Sequence, residues 1–142
     1  MLEFKTKVGI IDLRINNIHS IFNAYKKLNC KVSLVEPKEN FNKYDILVIP
    51  GVGAFPNAIK KLNNLKIKKK ILDFEKKNKI IIGICLGMQL LFDSSLEFKK
   101  TQGLGIIPGK VVPFDKNKTK LIPHMNWNKI KFYKKKIKNV KR

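Results

Sequence analysis

A three-layer α/β domain built on a mainly parallel sheet is the fold class this sequence predicts, and three observations carry that prediction. Apolar runs of strand length at 7–12, 45–49 and 79–84 are nearly continuous rather than alternating, the pattern of strands buried on both faces of a parallel sheet. Amphipathic stretches lie between these runs, where helices would lie on the sheet. At 80–92, IIIGICLGMQLLF, the strand pattern passes straight into a helical one through Gly83-Ile84-Cys85-Leu86-Gly87, a sharp strand-to-helix turn.

Taken from the N-terminus, Lys7-Val8-Gly9-Ile10-Ile11-Asp12 reads as a buried strand ending in an acidic residue. Asn16 or Asn17 can cap the first helix, in which Ile18, Ile21, Phe22, Tyr25 and Leu28 recur at three- and four-residue steps. His19 projects from the outer side of that helix. A short strand at 31–35 precedes Pro37, and a polar connection at 40–44 leads into a buried strand, Asp45-Ile46-Leu47-Val48-Ile49, that stops at Pro50. Gly51-Val52-Gly53 follows, a loop whose glycines let backbone N–H groups turn inward. Residues 54–65 and 67–77 read as helices, the second with Ile67, Ile71, Leu72 and Phe74 on its apolar side and lysines elsewhere. After the sharp turn, Met88, Leu91 and Phe92 fall on the buried side of a helix, and Gln89 lies one turn from Cys85 on the same face. Gly103, Gly105, Pro108 and Gly109 break 103–114 into brief strands and turns. The tail at 129–142, KIKFYKKKIKNVKR, is basic without an acidic residue, and Ile130, Phe132 and Ile137 suggest an edge strand.

The chemistry points to Cys85. A residue at the centre of a strand-to-helix elbow stands in a strained conformation that exposes its side chain, and small residues two places either side let the strand and helix pass closely. The free N–H groups and dipole at the start of the following helix favour the thiolate, the nucleophilic form. The Leu86 N–H would face an oxyanion developing on a substrate attacked there. Cys30, just after the first helix, has no such surroundings.

Four motifs in order carry a resemblance to a known family: Pro50-Gly51-Val52-Gly53-Ala54-Phe55, 83–92, 103–111 and Pro123-His124-Met125-Asn126-Trp127-Asn128. The chain resembles class I (triad) glutamine amidotransferases, and among them the glutaminase subunits of imidazole glycerol phosphate synthase. The resemblance implies that Cys85 is the nucleophile and that the N–H groups of Val52 and Leu86 form an oxyanion hole. It further implies that Gly51, Gly53, Gln89 and Glu97 bind glutamine, and that Asn17, His124 and Trp127 face a partner. That partner would be a (β/α)₈-barrel cyclase that receives ammonia, in a heterodimer serving histidine biosynthesis. Paralogues donating ammonia to amino-sugar amidotransferases fit the motifs equally, and a docking subunit without turnover is the other alternative. No cofactor is implied.

The sequence departs from the family pattern in three places. Asp12-Leu13-Arg14-Ile15-Asn16-Asn17 stands where the family has Asp-Tyr-Gly-x-Gly-Asn, placing β-carbons where positive φ is expected. Asn126 replaces a usual glycine. The His-x-Glu pair that the family supplies as base and orienting carboxylate after the Pro-His-Met loop does not occur, since beyond His124 there is no Asp, Glu or further His. The chain is therefore expected to be a C-terminally truncated amidotransferase domain lacking its final elements, with little turnover as it stands.

Length and composition fit one domain: 142 residues, 44% hydrophobic, enough for a single core. The N-terminal segment lacks the long apolar core of a signal peptide, and no apolar run reaches membrane-spanning length, so a cytoplasmic protein is expected. Two cysteines and two histidines, far apart in sequence, imply neither a disulfide framework nor a structural metal. The net charge of +21 invites a nucleic-acid reading. Yet all but Arg14 and Arg142 of the 31 basic residues are lysines, whereas bidentate readers of phosphate and bases are usually arginines. The lysines at 60–79 fall at solvent-facing helix positions, and a membrane-surface role is not favoured either, because the apolar side of the tail is meagre. Binding to a random DNA duplex should accordingly be weak, indifferent to sequence and largely gone by about 200 mM salt in a titration followed by fluorescence anisotropy. Tight, sequence-dependent binding at that salt would contradict this.

Overall fold

The computed structural model describes residues 5–14, 17–115, 127 and 129. By its contacts the chain divides into Met1–Val112 and a second unit, Pro113–Arg142. The first unit runs β1 (Lys7–Ile11), α1 (Ile18–Lys27), β2 (Lys31–Val35), a 3₁₀ turn (Phe41–Lys43), β3 (Ile46–Gly51), α2 (Phe55–Asn64), α3 (Lys68–Lys76), β4 (Ile80–Cys85), α4 (Leu86–Leu90), β5 (Phe92–Ser95), β6 (Thr101–Gln102) and β7 (Ile107–Val111).

The main sheet has the order β2-β1-β3-β4 with every pairing parallel. Because β1 connects to β2 on one side and pairs with β3 on the other, the strand order reverses beside β1. In open sheets of this kind ligands bind outside the carboxyl ends of the strands near such a reversal, which is where β3 and β4 end. A smaller sheet, β6-β5-β7, follows the elbow.

Alternation along the strands feeds two apolar layers. Val8, Ile10 and Val48 face α1 and meet Ile18, Ile21, Phe22 and Tyr25. Leu47 and Ile49 face the other way, into a larger core with Phe55, Ala58 and Leu62 of α2, Ile71 and Phe74 of α3, and Leu86 and Leu90 of α4. Helix α3, KKKILDFEK, shows which force wins locally. Burying Ile71 and Phe74 gains about 3–6 kcal/mol, whereas like charges on a helix surface cost only a few tenths of a kcal/mol per pair.

The expected three-layer, mainly parallel architecture is thus present, with three differences in detail. Strand β3 does not stop at Pro50 but runs through it to Gly51. The pairing of β1 with β3 ends at Ile10 and Val48, so Pro50 is flanked by β4 alone, where a missing ladder N–H is tolerated. Helix α4 ends at Leu90, and Phe92 opens β5 instead of closing the helix. Its buried side carries Leu86, Gly87 and Leu90, while Met88 is 46% exposed.

Several lysines read as a solvated face have structural partners. The Lys70 ammonium donates to the carbonyls of Pro37 and Glu39, Lys79 to those of Asn42 and Tyr44, and Lys68 to that of Gly103. The Lys70 and Lys79 bonds tie the 37–44 connection to α3 and to the entry of β4, and the Lys68 bond ties α3 to the turn at Gly103. The same connection holds Tyr44, whose hydroxyl bonds Glu39 and Ser33. Burial pushes the Tyr44 phenol up, assisted by its bond to Glu39. Burial also acts to raise the Glu39 carboxyl, but hydrogen bonds from Lys43, Tyr44 and the Glu36 N–H together hold it below its ordinary value.

In the loop after β1 the expected strain is present at Arg14, while Asn16, the other position concerned, lies outside the described residues. Arg14 stands at φ 54°, its N–H donating to Asp12 Oδ1 at 2.6 Å, and its carbonyl accepts from the Lys61 ammonium of α2 at 3.2 Å. A β-carbon in this region costs on the order of 1 kcal/mol. Arg14→Gly should therefore raise stability by about 1 kcal/mol in urea unfolding, with an unchanged slope. Destabilisation by that amount would show that the Arg14 side chain contributes more than its backbone costs.

Candidate functional site

The site is built where β3 and β4 end side by side. The last pairing between them sets Gly51 opposite Cys85, which brings the Gly51-Val52-Gly53 loop against the elbow although 34 residues separate the two in sequence. Cys85 adopts φ 54° and ψ −117° and is exposed. A non-glycine residue held in such a conformation costs on the order of 1–3 kcal/mol and persists only where its surroundings over-determine it.

Those surroundings are the two glycines. A β-carbon on Gly87 would lie 1.6 Å from the Ile49 carbonyl oxygen, and one on Gly83 would lie 2.5 Å from Met88 Cα. Helix α4 therefore lies with its backbone directly on β4 and β3. This close seating explains why Met88 is not buried: its Cα rests over Gly83, so its side chain is directed outward while Leu86 and Leu90 enter the core. Gly51 is less constrained, its hypothetical β-carbon meeting Gly87 N and Leu86 Cβ at 3.2 Å.

Beyond Gly51 the loop turns outward. Val52 is 55% exposed beside the elbow, and Gly53 takes φ 100°, a region closed to most side chains. Ala54 occupies the N-cap of α2 and has no side chain to satisfy the first helical N–H. That N–H, on buried Phe55, instead donates to Glu97 Oε2 at 2.7 Å, and the Glu97 N–H donates to Ser95 Oγ at 3.0 Å. Glu97 was expected at the substrate from resemblance alone. The structure brings it to the far end of the Val52 loop, a contact absent from the sequence reading. Its one sequence signal is the lack of a capping side chain at Ala54.

The other expected site residues are distributed as follows. Leu86 is buried and begins α4, and Gln89 is half-buried on the same short helix. Asn17 caps α1, its Oδ1 accepting from Ser20 N at 3.4 Å, and is exposed. His124 lies outside the described residues, and Trp127 is fully exposed in the second unit. His19 is exposed on α1, as expected, and Cys30 is half-buried with its thiol directed to the Leu28 carbonyl. Among the described residues no cluster of His, Cys, Asp and Glu is arranged to hold a metal ion, and no helix is long and apolar enough to cross a membrane.

The site thus sets an exposed cysteine on a positive-φ elbow beside a glycine-rich loop that is paired to it strand to strand. The family model for class-I glutamine amidotransferases matches residues 9–140, and the chain belongs to that family. More particularly, the chain is similar to imidazole glycerol phosphate synthase subunit HisH of Wolinella succinogenes, at 42% identity over 132 residues, covering 91% of this chain and 63% of that protein. It is 43% identical over 126 residues to the HisH subunit of Sulfurimonas denitrificans, covering 87% of this chain and 61% of that one. The chain thus spans under two thirds of the length of these relatives. A crystal structure of a glutamine amidotransferase superposes with a TM-score of 0.64 over 74% of this chain and 55% of that one, at 21% identity, which shows the shared fold.

Gly87→Ala should be the most damaging single methyl in the protein. No flexible side chain is available to yield at 1.6 Å from a backbone oxygen, so the variant is expected to lose about 3 kcal/mol or more of stability, or to fail to fold. Gly51→Ala, at 3.2 Å, should cost about 1 kcal/mol. Equal costs in thermal unfolding would contradict the packing described here.

Proposed function

We propose that this chain carries the nucleophilic half of a glutaminase and belongs to a glutaminase subunit of imidazole glycerol phosphate synthase. The observation that carries the reading is the Gly51 to Cys85 pairing, which sets a strained, exposed thiol beside a loop of backbone donors. The Cys85 thiolate attacks the side-chain amide carbon of glutamine, forming an S–C bond and placing negative charge on the former carbonyl oxygen. In this scheme the N–H groups of Val52 and Leu86 receive that charge. Collapse breaks the C–N bond, the nitrogen takes up a proton and leaves as ammonia, and water then cleaves the glutamyl thioester to glutamate. The reaction draws on no cofactor. Gln89 and Glu97 hold the amino-acid end of glutamine in this scheme, and Gly51 and Gly53 let the backbone approach it.

The ammonia acceptor proposed is a (β/α)₈-barrel cyclase docked as a heterodimer in the cytoplasm, supported by the relatives' description as synthase subunits. Asn17, His124 and Trp127 would face it. The scheme also needs a general base for the thiol and a carboxylate to orient it; among these 142 residues no acidic residue follows His124, and a general base typically contributes 10²-fold or more of the rate.

Two measurements follow. Treatment with 6-diazo-5-oxo-L-norleucine, a glutamine analogue, should label Cys85 and spare Cys30 in peptide mass spectrometry; preferential labelling of Cys30 would remove Cys85 as the nucleophile. Glutamine hydrolysis by the 142-residue chain with a partner cyclase should fall about 10²-fold or more below that of a family member carrying the His-x-Glu pair. Robust turnover abolished by His124→Ala would make His124 the base and this proton-transfer scheme wrong.

A further inference from the structure

The segment that follows β3 is held at both ends. Gly51 is fixed by its pairing with Cys85, and four residues later the Phe55 N–H is fixed by Glu97 Oε2 at 2.7 Å. Only Val52, Gly53 and Ala54 lie between these anchors, and none brings a long side chain that could fix the loop by packing. Gly53 at φ 100° has no atom within 4 Å of where a β-carbon would stand, and Val52 is 55% exposed. The direction of the Val52 N–H is therefore set by its two ends. At the second end Phe55 is wholly buried, Pro56 has no N–H to offer, and Ala54 cannot cap. Glu97 is itself held by the bond of its N–H to Ser95 Oγ, and Ser95 is wholly buried on β5.

We propose that Glu97 is a positioning residue for the oxyanion loop: by accepting the Phe55 N–H, its carboxylate fixes the far anchor of 51–55 and so aims the Val52 N–H at the substrate oxygen beside Cys85. The proposal rests on the glutaminase reading for its choice of Val52 as donor. It is distinct from a contact between Glu97 and the amino-acid end of glutamine, because it operates on a substrate with no amino-acid end.

The test uses such a substrate. With p-nitrophenyl acetate, Cys85 Sγ bonds to the acetyl carbon through an oxyanionic intermediate, the bond to the aryl oxygen breaks, and p-nitrophenolate departs with the electron pair while the thiol proton passes to buffer. Reaction at lysines and at Cys30 is subtracted with Cys85→Ala. Iodoacetamide alkylates the same thiol without forming an oxyanion and serves as the reference. Glu97→Ala should slow acylation of Cys85 about tenfold while alkylation stays within about twofold. It should also raise hydrogen exchange at the Phe55 amide. Glu97→Gln keeps an oxygen for the Phe55 N–H and should restore acylation to within about threefold of the parent. Should Glu97→Ala unfold by circular dichroism, Glu97→Asp carries the same comparison, since it keeps the charge but withdraws the acceptor by one methylene. Unchanged acylation in Glu97→Ala or Glu97→Asp, or a Glu97→Gln variant as slow as Glu97→Ala, would overturn the proposal. Failure of the glutamine analogue to label Cys85 would instead count against the glutaminase reading, since ester acylation does not depend on glutamine recognition.

Discussion

The structure depends on the contact between the Gly87 Cα and the Ile49 carbonyl. A helix that follows its strand without a loop can rest on that strand and its neighbour only if side chains are absent at the crossing, and here two glycines provide this at Gly83 and Gly87. The residue between them is left with a backbone that no independent preference supports. Its cost, on the order of 1–3 kcal/mol, is offset by the burial of Leu86 and Leu90 on the far side of the turn, each contributing about 1.5–3 kcal/mol. An exposed thiol at Cys85 and a packed core beneath it are thus two results of one steric arrangement.

Strand register brings the glycine-rich loop opposite this thiol. In a parallel ladder the carboxyl ends of neighbouring strands lie side by side, so the loop after β3 must emerge beside the elbow after β4. Extension of β3 through Pro50 carries the pairing up to Gly51 and Cys85. Had the strand ended at Ile49, the glycine loop would have left the sheet two residues early, on the order of 7 Å from its place at the thiol.

The large positive charge has a use inside the fold that composition does not reveal. Lys61, Lys68, Lys70 and Lys79 each donate to backbone carbonyls in loops remote in sequence. A lysine has three donors on a long apolar stem, so it can cover apolar surface and still satisfy a loop carbonyl that the secondary structure leaves unpaired. Arg14 shows the opposite side of the same composition: a long side chain at φ 54° where a glycine would be relaxed, held by an Asx turn and by Lys61.

Much of this protein was legible in its sequence. The apolar runs located β1, β3 and β4 to within a residue or two, the stripe from Ile18 to Leu28 located α1, although Leu28 lies past its last turn and is 71% exposed, and the Gly-x-Cys-x-Gly pattern located the sharp turn at Cys85, because each depends on local sterics or on a periodicity that any sheet or helix imposes. The end of α4, the exposure of Met88, the bonds of the lysines and the partner of Glu97 were not legible. They depend on how closely backbones approach and on which loop carbonyl or N–H lies within 3 Å of a side chain distant in sequence. The residues of the Val52 loop were determined by the sequence itself, through glycines that permit positive φ. Its place beside Cys85 was decided only by the tertiary structure, because the strand register at Gly51 and the carboxylate 42 residues beyond Phe55 that accepts the Phe55 N–H come together only when the sheet has formed.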